Sequence, residues 1–164
     1  MQNRRRIILG MSCFLITIST GLNPGLSADP IVKINAKIAG HEKSTLLDIF
    51  AIDAMPQTSF STATPWHQAV TEFSGVSLKD LLSSLKISGT KLQIVALNDY
   101  EVEADIRELE AADALFATRQ NGAIMPVSDK GPVFLVFPFD SRPELQHQTY
   151  YSRAVWQIAE INVE

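Results

Sequence analysis

The sequence predicts an α+β domain of mostly short, mixed strands with few helices, and three observations carry that prediction. Apolar runs of strand length, residues 92–97 and 133–138, are bounded by Asn, Asp, Gly and Pro. A strictly alternating stretch follows Asn98 and continues to Ile106. Helical periodicity with a complete start signal occurs only once, in residues 77–85. Residues 91–140 organise the rest. Their apolar runs (92–97, 106–116 and 133–138) read as buried strands that deliver three polar loops: Asn98-Asp99-Tyr100, Arg119-Gln120-Asn121-Gly122 and Asp129-Lys130-Gly131-Pro132. Polar loops on a rigid scaffold are where binding residues concentrate.

The first segment reads as a leader. Arg4, Arg5 and Arg6 precede an apolar run of about 12 residues, and residues 24–28 form a turn-prone exit ending at Ala28, the layout of a signal peptide over residues 1–28. The run falls short of the roughly 20 residues that a membrane span needs, so no stable membrane insertion is expected after cleavage. Residues 29–164 are expected to form one domain, placed by export in the periplasm or outside the cell. Three of the 14 basic residues belong to the leader and all 18 acidic ones to the domain, whose net charge is therefore about −7, a poor match for nucleic acid or anionic lipid. The only cysteine, Cys13, also lies in the leader, leaving the domain without a disulfide, a thiolate ligand or a cysteine nucleophile.

Along the domain, residues 31–36 alternate loosely and read as an opening strand that turns near Gly40. Residues 46–55 place Leu47, Phe50, Ala51 and Ala54 at helical spacing before Pro56, although a strand fits as well. Residues 57–64, rich in Ser and Thr around Phe60, favour an extended chain, and Thr64-Pro65-Trp66 forces a turn. Ser77 with Asp80 forms a variant capping box, Val76 and Leu81 take the staple positions, and Leu78, Leu81, Leu82 and Leu85 make one apolar stripe ending before Gly89. Residues 91–97 suit a buried strand.

From Asp99 onward, Asp99, Glu101, Glu103 and Asp105 face one way and Tyr100, Val102, Ala104 and Ile106 the other. Acids two apart on a strand lie roughly 6.5–7 Å from each other, close enough to share a cation. Calcium, however, needs about six or more converging oxygens, which nothing else supplies, and a solvated face is the reading adopted. Residues 133–138 suit a central strand, 140–149 a polar loop, and 155–163 an alternating terminal strand.

Enzyme signatures are missing. There is no Gly-rich phosphate loop, no Gly-x-Ser-x-Gly elbow and no His-x-x-x-His pair, and His41, His67 and His147 are scattered in expected loops as solvated side chains. No catalytic residue and no metal ligand is assigned. What remains is a set of polar groups, Asn98, Asp99, Asn121, Asp129, Lys130 and Arg153, which with Trp66, Tyr100, Tyr151 and Trp156 would build a ligand pocket with an aromatic wall. Plainer roles stand beside these: turn formation for Asn98 and Asn121-Gly122, ion pairs to acids such as Asp129 or Asp99 for Lys130 and Arg153, and core packing for the tryptophans.

In these same residues the chain resembles a known family. The stretches 73–82 (Phe-Ser-Gly-Val-Ser-Leu-Lys-Asp-Leu-Leu), 96–100 (Ala-Leu-Asn-Asp-Tyr), 115–122, 130–138 (from Lys-Gly-Pro) and 155–163 (from Val-Trp-Gln) resemble, in this order, the molybdopterin-binding domain of the sulfite oxidase superfamily. The similarity is strongest to its small, exported, stand-alone versions. The resemblance implies that fold, with molybdopterin as the cofactor to consider. It also implies residues that this chain lacks. Family members hold molybdenum through a cysteine thiolate, which is absent after Ala28. Phe134 stands where larger relatives tend to carry an arginine, and Val155 where a lysine often precedes the late tryptophan. A buried phosphate without such cations is costly. Loaded molybdenum proteins cross the membrane through a twin-arginine leader, whereas Ile7-Ile8-Leu9 after the arginines reads as a general secretory signal.

The expectation is a non-catalytic binding or accessory module with no cofactor, offering its pocket to a small ligand or a periplasmic protein partner. The alternative is a molybdopterin-dependent oxidoreductase with an atypical or partner-completed site. A hydrolase or lyase using Asp99 and Lys130 is a third reading.

Overall fold

The computed structural model describes residues 29–38 and 40–164; the expected leader, residues 1–28 with Cys13, lies outside them. The described residues form ten strands and four α-helices. In chain order these are β1 (Val32–Ile38), β2 (His41–Leu47), α1 (Ile49–Asp53), β3 (Gln57–Thr62), β4 (Thr71–Ser77), α2 (Leu78–Leu85), β5 (Lys91–Ala96) and β6 (Glu101–Asp105). There follow α3 (Ile106–Ala111), β7 (Leu115–Gln120), β8 (Ala123–Ile124), β9 (Phe134–Val136), α4 (Gln148–Arg153) and β10 (Ile158–Val163).

Two five-stranded sheets result. The first has the order β2-β1-β10-β5-β6, with β1 and β10 parallel and the other pairs antiparallel. The second runs β3-β4-β7-β8, and β9 pairs with the half of β7 that β8 leaves free. The sheets meet at a hydrogen-bonded seam. After α4 the chain first bonds to the β9 region, Leu135 N donating to Val155 O (2.8 Å) and Ile158 N to Val133 O (3.1 Å), and only then enters the first sheet as β10. Gln157, with a left-handed φ of 55°, makes the transfer, and for that reason the terminal strand begins at Ile158 rather than at Val155.

Local chemistry explains most elements. In β1 the alternation buries Val32, Ile34 and Ala36 and turns Lys33 and Asn35 outward. Helix α2 starts as its sequence predicts: Ser77 Oγ accepts from Asp80 N (3.1 Å) and donates to Asp80 Oδ2 (2.6 Å). Leu78, Leu81 and Leu82 are buried, each worth roughly 1.5–3 kcal/mol of transfer free energy. The helix ends on Lys86 in the left-handed conformation (φ 55°), shortly before Gly89 as expected. The acids of β6 form the expected solvated face, where Glu103 pairs with Lys91 and Glu101 accepts from Gln93 Nε2 (3.2 Å).

Three expectations are corrected. Residues 46–55 split between a strand and a helix: Leu46 and Leu47 close β2, and Asp48 Oδ1 accepts from Ala51 N (2.7 Å) to cap the short α1. Residues 106–116 are not one buried strand. Asp105 Oδ1 accepts from Arg107 N (2.8 Å) and opens α3, and strand geometry resumes only at Leu115. The loop expected at 140–149 runs into α4, whose residues are all at least partly exposed. Two strands lie outside these expectations: β2, which is almost wholly exposed, and β4, which buries Thr71, Phe73, Gly75 and Val76.

The core gathers fully buried phenylalanines, among them Phe73, Phe116, Phe134 and Phe137. Gly75 sits in β4 where its register with β7 shifts, and a Cβ there would lie 2.2 Å from Phe116 O and 2.8 Å from Ala117 Cα. Gly122 at the β7–β8 hairpin has open space around it but a φ of 78°. Gly75→Ala is therefore expected to destabilise the domain by about 3 kcal/mol or more and Gly122→Ala by about 1 kcal/mol, which urea denaturation of the two variants checks.

Candidate functional site

The seam between the sheets carries a cleft of about 470 Å³. Its floor is Ala96 at the end of β5 with Ala154 and Val155 at the exit of α4. One wall is aromatic. Pro65 turns the chain after β3, Thr64 Oγ1 accepts from Trp66 N (3.3 Å), and Trp66 is set edge-on to Trp156 (ring centroids 5.3 Å), Phe134 (6.1 Å) and Tyr151 (6.2 Å). Edge-to-face pairs of this kind contribute about 0.5–1.5 kcal/mol each beyond area burial.

The other rim comes from the β5–β6 turn. Asn98 Oδ1 accepts from Tyr100 N (3.2 Å) and Asp99 takes a left-handed φ of 62°, the turn chemistry expected of this tripeptide. Tyr100 Oη then donates to Ser152 O (2.9 Å) and ties the turn to α4 across the cleft mouth. Gln148 adds a second amide. None of the lining residues is charged. The arrangement offers ring faces and neutral hydrogen-bonding groups, which suits a flat, neutral ligand.

Of the residues picked from the sequence, Trp66, Asn98, Tyr100 and Tyr151 meet in this cleft, together with Trp156. The other five lie elsewhere. Asp99 is an exposed turn residue. Asn121 and Gly122 both have positive φ and form the two-residue β7–β8 hairpin turn, with Asn121 Oδ1 accepting from Glu72 N (3.1 Å). Lys130 Nζ lies 3.2 Å from Asp129 Oδ1, and Arg153 pairs with Glu108 (3.0 Å) while its guanidinium stands over the Tyr150 ring at 5.8 Å. Arg119 in β7 makes a two-pronged bond to Asp53 of α1 (2.5 and 2.6 Å). Among the described residues no group of three His, Cys, Asp or Glu converges on a point, and no helix is long and apolar enough to cross a membrane.

Sequence reasoning missed His67, which is not a solvated loop histidine. Its ring packs against Phe73 (5.2 Å) and Phe134 (6.3 Å), and Nδ1 lies 2.6 Å from Thr64 Oγ1. Nε2 and the nearby Gln120 Oε1 are both buried without a hydrogen bond. Burial first, and the Lys130 ammonium second, push the His67 pKa below its ordinary 6.5 and outweigh the opposing pull of the Gln120 side chain and Asp129. The only sequence signal was the position of His67 directly after Pro65-Trp66.

The unfolded chain binds a proton at His67 more readily than the folded one, so stability is lost as pH falls through 6.5. Relative to His67→Gln, the wild type should lose melting temperature as pH falls below about 7.5 and show a constant difference above it. Thermal melts across pH check it, and a difference independent of pH would contradict it.

Comparisons with known proteins fit this architecture. Among solved structures the fold is similar to that of the sulfane dehydrogenase SoxCD from Paracoccus pantotrophus, with a TM-score of 0.58 and 15% sequence identity. The match covers 80% of this chain and 37% of that one, so the present chain corresponds to little more than a third of it. The search of curated proteins found no match. A family model described as the oxidoreductase molybdopterin binding domain matches residues 41–140, and the chain belongs to that family.

Proposed function

We propose that this chain is a binding or accessory domain that offers its aromatic cleft to a neutral, planar small ligand and does not perform molybdenum chemistry by itself. The observation that carries this reading is the lining of the cleft: Trp66, Tyr100, Tyr151 and Trp156 with the amides of Asn98 and Gln148, and no charged side chain. Molybdopterin carries a phosphate, which calls for cations or clustered donors. Lys130 and Arg153, the two cations nearest in expectation, are paired with Asp129 and Glu108. Residues 29–164 contain no cysteine to ligate a metal. The residues present therefore do not fit the cofactor in the manner that the family implies. An oxidoreductase built on this chain would have to receive both a thiolate and compensating cations from elsewhere. Export to the periplasm belongs to the proposal and rests on the leader-like pattern of residues 1–28.

The test is titration with paired heterocycles, each as the neutral base and as its phosphate ester, read by tryptophan emission. Neutral members should bind and quench. Trp66→Leu should weaken them at least tenfold, equivalent to about 1.4 kcal/mol, and Asn98→Ala, on the exposed rim, about threefold or more. Tighter binding of the phosphorylated member of each pair would contradict the proposal.

A further inference from the structure

The two sheets present edges of very different character. In the first sheet, the outer strand β2 carries Glu42 and Lys43, and the outer strand β6 carries Glu101, Glu103 and Asp105. On the far side of the second sheet, β8 has only two residues, and β9 is bonded to the seam through Leu135 N and Val155 O (2.8 Å). Charge, shortness and coverage are the usual means by which sheet edges avoid pairing with other chains.

β3 has none of them. Its sequence, Gln-Thr-Ser-Phe-Ser-Thr, contains no charge, no proline and no glycine, and four of its six residues are exposed. All six pair with β4, and among the described residues no other backbone hydrogen bond reaches them. Asp140 closes the far end, its N donating to Thr62 Oγ1 (3.1 Å) and its Oδ2 accepting from Ala63 N (2.8 Å), so the unpaired N–H and C=O groups that strand addition uses as a template are those of residues 57–61.

A groove of about 460 Å³ opens on the sheet face to which Thr58 and Phe60 belong and reaches past Ser77, at the end of β4, to Ala114. Phe60, Leu78 and Pro138 give it an apolar floor. Its rim holds Asp80, Glu110 and Asp113 against the single cation Lys79. Arg142 engages Asp113 (2.6 Å) and the Ser77 hydroxyl engages Asp80 (2.6 Å), whereas Glu110 is exposed and has no ion-pair partner among the described residues. We propose that β3 accepts an extended segment of a partner protein as an added strand, with a basic side chain of that segment directed at Glu110. Residues two apart on an added strand fall on one face, so a basic residue flanked at alternate positions by small apolar ones would meet both the acid and the floor. A second copy of this chain is a poorer occupant, because it would bring the same acids against one another in a chain already at net charge −4.

The test uses the full chain and a synthetic eight-residue peptide alternating Thr and Val around one central Arg. The expected result is slowed amide exchange confined to β3, with binding at least tenfold weaker when the Arg is replaced by Glu. Glu110→Lys should reverse that preference. N-methylation of alternate peptide amides should abolish binding in one register and spare it in the other, as strand pairing requires. Equal binding of the two peptides, or no protection of β3 by the Arg peptide, would overturn the proposal. Protection of β3 that grows with protein concentration alone would also overturn it, in favour of self-association.

Discussion

The ring of Phe134 is fully buried, and four other rings surround it: Phe73 at 5.6 Å, Trp66 at 6.1 Å, and His67 and Trp156 at 6.3 Å. Those rings come from β4, from the turn after β3 and from the segment leading into β10. One side chain thus holds together the parts of the chain that build the cleft wall. The backbone of its strand is fixed at the same time, since β9 pairs with β7 on one side and bonds to the seam on the other. The shape of the site and the contact between the sheets rest on the same packing.

That packing also sets the electrostatics. Phe134 occupies the position at which the family resemblance leads one to expect an arginine, and a cation enclosed by these rings would lose its hydration without a carboxylate to replace it. The same surround pushes His67 toward its neutral form. Lys130 and Arg153 are each committed to an acid. Neutrality of the cleft is therefore a consequence of how the core is filled.

What was legible in the sequence was local. The capping box and leucine stripe of α2 lie within ten residues and were read correctly, as were β1, β5 and the acidic alternation of β6. β2 escaped because its exposed residues show no alternation, and α3 because Asp105 serves both as the last acid of the strand pattern and as the helix cap. α4 fully buries no side chain, so no periodic signal marks it. The site was half legible for the same reason. Aromatic residues and turn formers announce themselves, and Trp66, Asn98, Tyr100 and Tyr151 do meet. Whether a lysine or arginine faces the cleft or an acid depends on partners far along the chain, such as Glu108 for Arg153. The burial of His67 likewise depends on Phe73 and Phe134, neither of which is its neighbour in sequence.

The most direct test of the central claim is the molybdenum content of the protein purified from its native host, measured with pterin fluorescence after oxidation of the same sample. The account predicts that a well-folded preparation carries neither in stoichiometric amount. About one molybdenum and one pterin per chain would contradict it, and would require a ligand other than cysteine among residues 29–164 or a thiolate supplied by a partner.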